Sequence, residues 1–244
     1  MKVKHLVGAF LCVLGCYACS SPKTEVQSPD GHIKMTLTVD ENGKPFYNVS
    51  VDDSLLIENS AMGFTAANGI ILGEGFQVKN TTFSSEDETW TQPWGENKKN
   101  RNHYNEMAVS LTNEDQVQLT LRFRVFDDGI GFRYEYTVPT VDSLLITDEL
   151  TTFRFHRDGT SWSIPASAET YELLYQQQPI SEVETANTPF TFKTADGVYG
   201  SIHEAALYDF PEMTLKQIGH YTLKAELAPW PDGIKARKGN HFTT

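Results

Sequence analysis

An all-β fold is the class this sequence predicts, and three observations carry the prediction. From His32 onward, apolar and polar residues alternate with period 2 over one short segment after another. Gly, Asp, Asn and Ser turn signals separate these segments. No stretch has the length and 3.6-residue periodicity of a long helix. In a chain of 244 residues, this many strands fit one large two-sheet antiparallel sandwich better than two small domains, and no internal repeat divides the sequence.

Ile33, Met35, Leu37 and Val39 share one face, with Lys34, Thr36 and Thr38 on the other, and Asp40-Glu41-Asn42-Gly43 turns the chain. Tyr47, Val49 and Val51 alternate up to a second turn at Asp52-Asp53-Ser54. Short strands are expected over 55–58, 63–66 and 76–83, then an acidic, polar lead-in at 84–88. Met107, Val109 and Leu111 resume the alternation. The clearest hairpin follows. Val117, Leu119, Leu121, Phe123 and Val125 oppose Gln118, Thr120, Arg122 and Arg124, Asp127-Asp128-Gly129 turns, and Phe132, Tyr134, Tyr136 and Val138 run back. Beyond Pro139, shorter strands are expected over 144–147, 152–156, 161–164, 190–193, 198–207, 212–217 and 220–227. Residues 166–178 have the composition for one or two helical turns. The tail from Pro229 is turn-rich, and 233–244 is expected to be a linker cut short before a further domain.

Hydrophobic content of 39% with 21% charged residues belongs to a folded globular chain. Met1 to His5 carries two lysines, and Leu6 to Gly15 is an apolar run of about ten residues, too short to span a bilayer. Residues 1–19 are therefore expected to be a secretory signal. Its end, Val13-Leu14-Gly15-Cys16, resembles a bacterial lipobox, in which Cys16 would be acylated; Cys19, followed by serines, is the rival site. Such a chain would sit at the bacterial cell envelope, touching membrane only through its lipid. Residues 20–27 read as a polar tether, with the folded domain over 28–232. All three cysteines lie in the leader, so neither disulfides nor thiolate metal sites are expected in the folded part. The formal net charge is -12; loss of Lys2 and Lys4 with the leader leaves 18 basic against 32 acidic residues, or -14. That balance disfavours a nucleic-acid partner and suits neutral sugars and calcium.

The stretch Trp90–Glu106, WTQPWGENKKNRNHYNE, is expected to be a functional loop. It concentrates Trp90, Trp94, Glu96, Arg101, Asn102, His103, Asn105 and Glu106 directly before the most regular strand pattern in the chain. Trp90 and Trp94 have two roles open to them, a core position (the commoner one for indole) or stacking on a sugar ring. Lys99 and Arg101 have two readings, solvated charges or ligand contacts, as do His103 and Glu106, a hydrogen-bonded pair or ligand contacts. His203-Glu204-Ala205-Ala206-Leu207 opens like a zinc-protease helix but lacks the second histidine, so a polar pair at a strand end is the reading kept. No nucleophile elbow or phosphate loop is present, and the carboxylates are too numerous for spacing to single out a glycosidase pair.

Three segments together resemble the N-terminal domain of glycoside hydrolase family 97, the family of the bacterial starch-utilisation α-glucosidase. They are Trp94-Gly95-Glu96 with Arg101-Asn102-His103-Tyr104-Asn105-Glu106, then residues 122–134 (RFRVFDDGIGFRY), then His203-Glu204-Ala205-Ala206-Leu207. The resemblance implies a galactose-mutarotase-like β-super-sandwich packed against a (β/α)-barrel that carries the catalytic carboxylates. It further implies cleavage of α-glucosidic or α-galactosidic oligosaccharides, by inversion in some members and retention in others, with calcium beside the reacting sugar. The N-terminal domain lends one glutamate to that ion; by alignment from Trp162-Ser163-Ile164-Pro165 it falls on Glu172, with Glu169 as the alternative. Such an oxygen donor suits Ca2+. The barrel lies outside this sequence, so no catalytic residue is expected in it.

Overall fold

The computed structural model describes residues 24–244 apart from Ala168. The leader, with Cys16 and Cys19, lies outside the described residues. β1 (Glu25–Gln27), β2 (Ile33–Val39), β3 (Pro45–Val51) and β4 (Ser54–Ala61) form an antiparallel meander. β5 (Phe64–Ala66) and β6 (Ile71–Leu72) precede four long strands, β7 (Gln77–Thr91), β8 (Lys99–Thr112), β9 (Gln118–Phe126) and β10 (Gly129–Thr137). β11 (Ser143–Glu149), β12 (Thr152–Arg154), β13 (Gly159–Ser163), β14 (Gln176–Pro179), β15 (Thr185–Asn187), β16 (Phe190–Thr194) and β17 (Tyr199–Ile202) follow. β18 (Met213–Gly219), β19 (Thr222–Leu227), β20 (Ala236–Gly239) and β21 (His241–Thr243) complete the chain.

The expected antiparallel super-sandwich is the observed architecture, and hydrogen bonding divides it into five sheets. Their orders are β1-β2-β3-β4, β21-β10-β9-β8-β7, β20-β11-β5-β6, β12-β19-β18-β15 and β14-β13-β16-β17. The first and fourth meet edge to edge: Ile57 bridges Phe155, and the His156 amide donates to the Leu56 carbonyl at 3.0 Å. Turn chemistry fixes the early registers. Asp40 accepts from the Asn42 and Lys44 amides at 2.9 and 2.8 Å, and Asp52 and Asp53 both have positive φ, as a two-residue hairpin turn requires.

Alternation in the sequence becomes burial in the structure. Met35, Leu37, Tyr47, Val49 and the whole series Val117, Leu119, Leu121, Phe123 and Val125 are buried in one continuous apolar core. Its aromatic centre packs Phe64 edge-on to Tyr134 at 4.9 Å between centroids. Phe242 stacks on Tyr136 at 5.1 Å.

Three expectations about boundaries are corrected. The presumed tether ends early, because β1 pairs with β2 from Glu25 to Gln27. The presumed linker 233–244 supplies strands to two sheets, β20 to β11 and β21 to β10, and buries Phe242. Turn residues there separate two short strands that their neighbours, not their own propensity, hold in place. Residues 166–178 contain no helical turn among the described residues; Gln176–Pro179 pairs with β13 instead, and the approach through Pro165 favours extended backbone.

A carboxylate, Glu149, lies buried in this frame. The Gly63 amide donates to the Tyr134 hydroxyl, which hydrogen-bonds Thr151 Oγ1 at 2.6 Å, and Thr151 donates to Glu149 Oε1 at 2.6 Å. Burial pushes the Glu149 pKa up to about 7, against the opposing pull of the Thr151 hydroxyl and Lys224.

Two stability predictions follow from this packing. Glu149 binds its proton more tightly folded than unfolded, so its contribution is complete below pH 4.5 and is lost as pH rises through about 7. Glu149→Gln should therefore match the wild type near pH 5 and exceed it by about 3 kcal/mol near pH 8.5, read from urea midpoints; parallel pH profiles would contradict the assignment. Phe242→Ala should cost about 3–5 kcal/mol, and an unchanged unfolding midpoint would remove the tail from the core.

Candidate functional site

The residues expected to form a loop are two strands and a turn. β7 and β8 pair without interruption from Ser84↔Glu106 to Thr91↔Lys99, whereas β8 pairs with β9 only as far as Tyr104↔Phe126. Beyond that point the two strands leave the sheet as an arm, and every residue of β7 from Thr82 to Thr91 is exposed. With no buried face, such a pair shows no apolar alternation; that is why the acidic stretch 84–88 reads as a loop in the sequence.

Cross-strand polar contacts hold the arm together. Arg101 grips Asp87 bidentately at 2.7 and 2.8 Å, and Asn102 donates to Glu88 at 3.0 Å. Both are surface contacts worth about 0.2–1 kcal/mol each. At the tip the Gln92 amide donates to the Lys98 carbonyl at 3.1 Å, and Gln92 Nε2 to the Asn97 carbonyl at 2.9 Å. Gly95, at φ 119°, leaves the space Gln92 occupies; a Cβ there would lie 2.5 Å from Gln92 Nε2. Trp90 is 50% and Trp94 85% exposed, so neither indole is a core residue. Glu96 stands exposed beside them.

At the root of the arm the expected ligand contacts are engaged by the protein itself. Asn105 donates to the Gln27 carbonyl at 2.9 Å, fastening β1 to β8. Glu106 is buried and accepts from Arg122 Nη1 at 2.6 Å and Arg124 Nε at 2.8 Å. Arg122 also reaches Glu135 at 2.9 Å, and Arg133 reaches Glu135 at 2.6 Å, so charges alternate across β8, β9 and β10. Burial pushes the Glu106 pKa up, but hydrogen bonds from Arg124 and Arg122 outweigh it and hold the carboxyl below the ordinary range. His103 does not pair with Glu106; its Nδ1 lies 3.7 Å from Asp127 Oδ2 and has no hydrogen-bond partner among the described residues. Arg122 and Arg124 read in the sequence as a polar strand face, because only strand register reveals that both converge on Glu106.

The remaining expected residues lie in connections that flank another sheet, β14-β13-β16-β17. His203 and Glu204 directly follow β17, as a polar pair at a strand end. Glu204 accepts from Thr188 Oγ1 at 2.6 Å and from the Met213 amide, clamping three segments together. His203 is exposed, with Nδ1 2.8 Å from the Glu204 carbonyl oxygen. Glu172 lies between β13 and β14, its amide donating to Thr170 Oγ1 at 2.9 Å and its side chain exposed. Glu169, the alternative, is exposed in the same segment. Among the described residues, no group of three His, Cys, Asp or Glu is arranged to hold a metal. A lone carboxylate supplies only one or two of the roughly six to eight oxygens that calcium takes.

The division between engaged and free side chains is measurable. Glu106→Gln should lower stability by about 2–3 kcal/mol in chemical denaturation, since it leaves two arginines without their shared carboxylate. Trp94→Ala should stay within about 0.5 kcal/mol of wild type; equal losses would mean the arm tip is part of the core.

Comparison with known proteins places this geometry. Residues 26–242 match the family described as glycosyl-hydrolase 97 N-terminal. A retaining alpha-galactosidase of Bacteroides thetaiotaomicron is 25% identical over 94% of this chain and 36% of its own length. Solved structures of a glycoside hydrolase family 97 enzyme from Pseudoalteromonas sp. strain K8, in complex with acarbose and, as a variant, with panose, superpose with a TM-score of 0.86. They are 37% identical and cover 90% of this chain and 34% of theirs. A beta-arabinopyranosidase crystal structure, 20% identical, shares the fold at a TM-score of 0.80. The chain thus spans about a third of the length of the enzymes it matches. It belongs to the glycosyl-hydrolase 97 N-terminal family.

Proposed function

We propose that the chain is the substrate-side, carbohydrate-binding domain of a calcium-dependent α-glycosidase that acts on α-glucosyl or α-galactosyl oligosaccharides. The observation that carries this reading is the match of nearly the whole chain to about a third of each relative. The catalytic carboxylates would stand on polypeptide outside this sequence, as a (β/α)-barrel of the same chain. Relatives named for α-galactosidase activity and for binding panose and acarbose support a sugar substrate without choosing between glucose and galactose. The leader would place the protein at the bacterial envelope, held by a lipid on Cys16.

The chain's own contribution follows from which groups are free. Trp90, Trp94 and Glu96 at the arm tip, and His203 at its strand end, have open faces for a sugar. Arg101, Asn102, Asn105, Glu106 and Glu204 shape these elements from within. Glu172 would donate one carboxylate oxygen to a calcium ion completed by the barrel, and the ion when bound would orient the sugar and stabilise developing charge. The exposed arm also suits a free-standing carbohydrate-binding lipoprotein without hydrolase activity, and the gene's continuation separates the two.

In the full-length protein, hydrolysis of panose or raffinose should require calcium. Glu172→Gln should weaken calcium binding, measured by calorimetry, at least about tenfold. Unchanged calcium affinity would remove Glu172 from the site, and hydrolysis that survives chelation would remove the ion from the reaction.

A further inference from the structure

The sheet β14-β13-β16-β17 has an inner face of Ser161, Ser163, Phe190, Phe192 and Thr194, all buried. Successive side chains of a strand point to opposite faces, so register determines what the outer face carries. Gln177, Trp162, Thr191 and Ser201 are aligned across the four strands, and Lys193 and Tyr199 are paired in a neighbouring row. Trp162 and Tyr199 converge over the central strand β16 with ring planes 16° apart and centroids 6.5 Å apart. Tyr199 is 65% exposed, and Lys193 Nζ lies 4.9 Å from its ring centroid.

The chemistry of this face differs from that of the chain as a whole. The protein has 32 acidic residues, yet neither row carries a carboxylate. On the inner face the Ser161 hydroxyl is satisfied, donating to the Gln178 carbonyl at 3.0 Å. On the outer face the Gln177, Thr191 and Ser201 side chains are exposed and make no hydrogen bond among the described residues. Two nearly parallel aromatic rings flanked by uncommitted amide and hydroxyl groups are complementary to a neutral sugar. A pyranose offers an apolar C–H face for the rings and a rim of hydroxyls for the polar groups. Within these two rows a cation would meet Lys193 and no carboxylate, and a polyanion would meet a single lysine on an acidic protein.

We propose that Trp162 and Tyr199 form a sugar-stacking platform on the outer face of this sheet. Thr191, Ser201 and Gln177 hydrogen-bond the hydroxyls of a neutral oligosaccharide there. The platform rests on the carbohydrate-binding role proposed above, and it locates that role on a surface to which no residue of the arm contributes.

The test is calorimetric titration of the full chain with panose and, separately, with raffinose. Tyr199→Ala and Trp162→Ala should each weaken the tighter of the two at least tenfold at an unchanged melting temperature, and Thr191→Ala should weaken it a few-fold. Tyr199→Ala keeps the outcome decisive if Trp162→Ala fails to fold, because the tyrosine ring is mostly exposed. Unchanged binding by folded Tyr199→Ala would overturn the platform, and a simultaneous loss in Trp94→Ala would move the sugar to the arm and leave the carbohydrate role standing. Absence of binding of either sugar to wild type would also overturn the platform and mark the face as a packing surface. Calcium-dependent hydrolysis by the full-length protein would then remain as an independent measure of the enzyme assignment.

Discussion

The register of β8 is the constraint on which the rest of the structure depends. From Met107 to Leu111 this strand is buried between β7 and β9, while the same strand runs out to Lys99 in solvent. A slip of one residue would turn Met107, Val109 and Leu111 outward and expose the apolar set they contribute to the core. The buried half therefore fixes the direction of every side chain on the exposed half. Two-stranded ribbons are marginal on their own, and the surface contacts Arg101–Asp87 and Asn102–Glu88 add little. The arm holds its geometry because β8 is anchored below it, where Glu106 binds Arg122 and Arg124 on the adjacent strand. The glutamate that the motif offers as a ligand is thus the residue that locks the arm to the sheet.

The fold was legible wherever one face of a strand is buried. Val117 to Val125 and Ile33 to Leu37 alternate cleanly because one side meets the core and the other meets water. Legibility failed where that asymmetry vanishes. The arm is solvated on both faces and reads as a loop. The tail, whose short strands β20 and β21 depend on partners far away in sequence, reads as a linker. Residues 166–178 carry helix-forming composition, but pairing of Gln176–Pro179 with β13 overrides it.

The candidate site was legible in composition and not in arrangement. The motif residues between Trp94 and Glu106 are close in sequence, yet strand geometry separates them into an exposed tip and an ion-paired root. Trp162 and Tyr199 are far apart in sequence and unremarkable singly; only the pairing of β13 and β17 with the same central strand brings their rings together. Cross-strand neighbours cannot be read from one strand's sequence, so a platform built on register leaves no local signal. The resemblance to family 97 was legible because its motifs are contiguous.

In this β frame the Glu106–Arg122–Glu135 ladder commits its charges to internal pairs, while the outer face of β14-β13-β16-β17 leaves aromatic and neutral polar groups free. Amide chemical-shift mapping of the isotope-labelled chain during a panose titration tests that division most directly. The account predicts saturable shifts at Trp162, Thr191, Lys193 and Tyr199, with the Glu106, Arg122 and Glu135 amides unmoved. Shifts centred on that ion-paired ladder, with the outer sheet face silent, would contradict it.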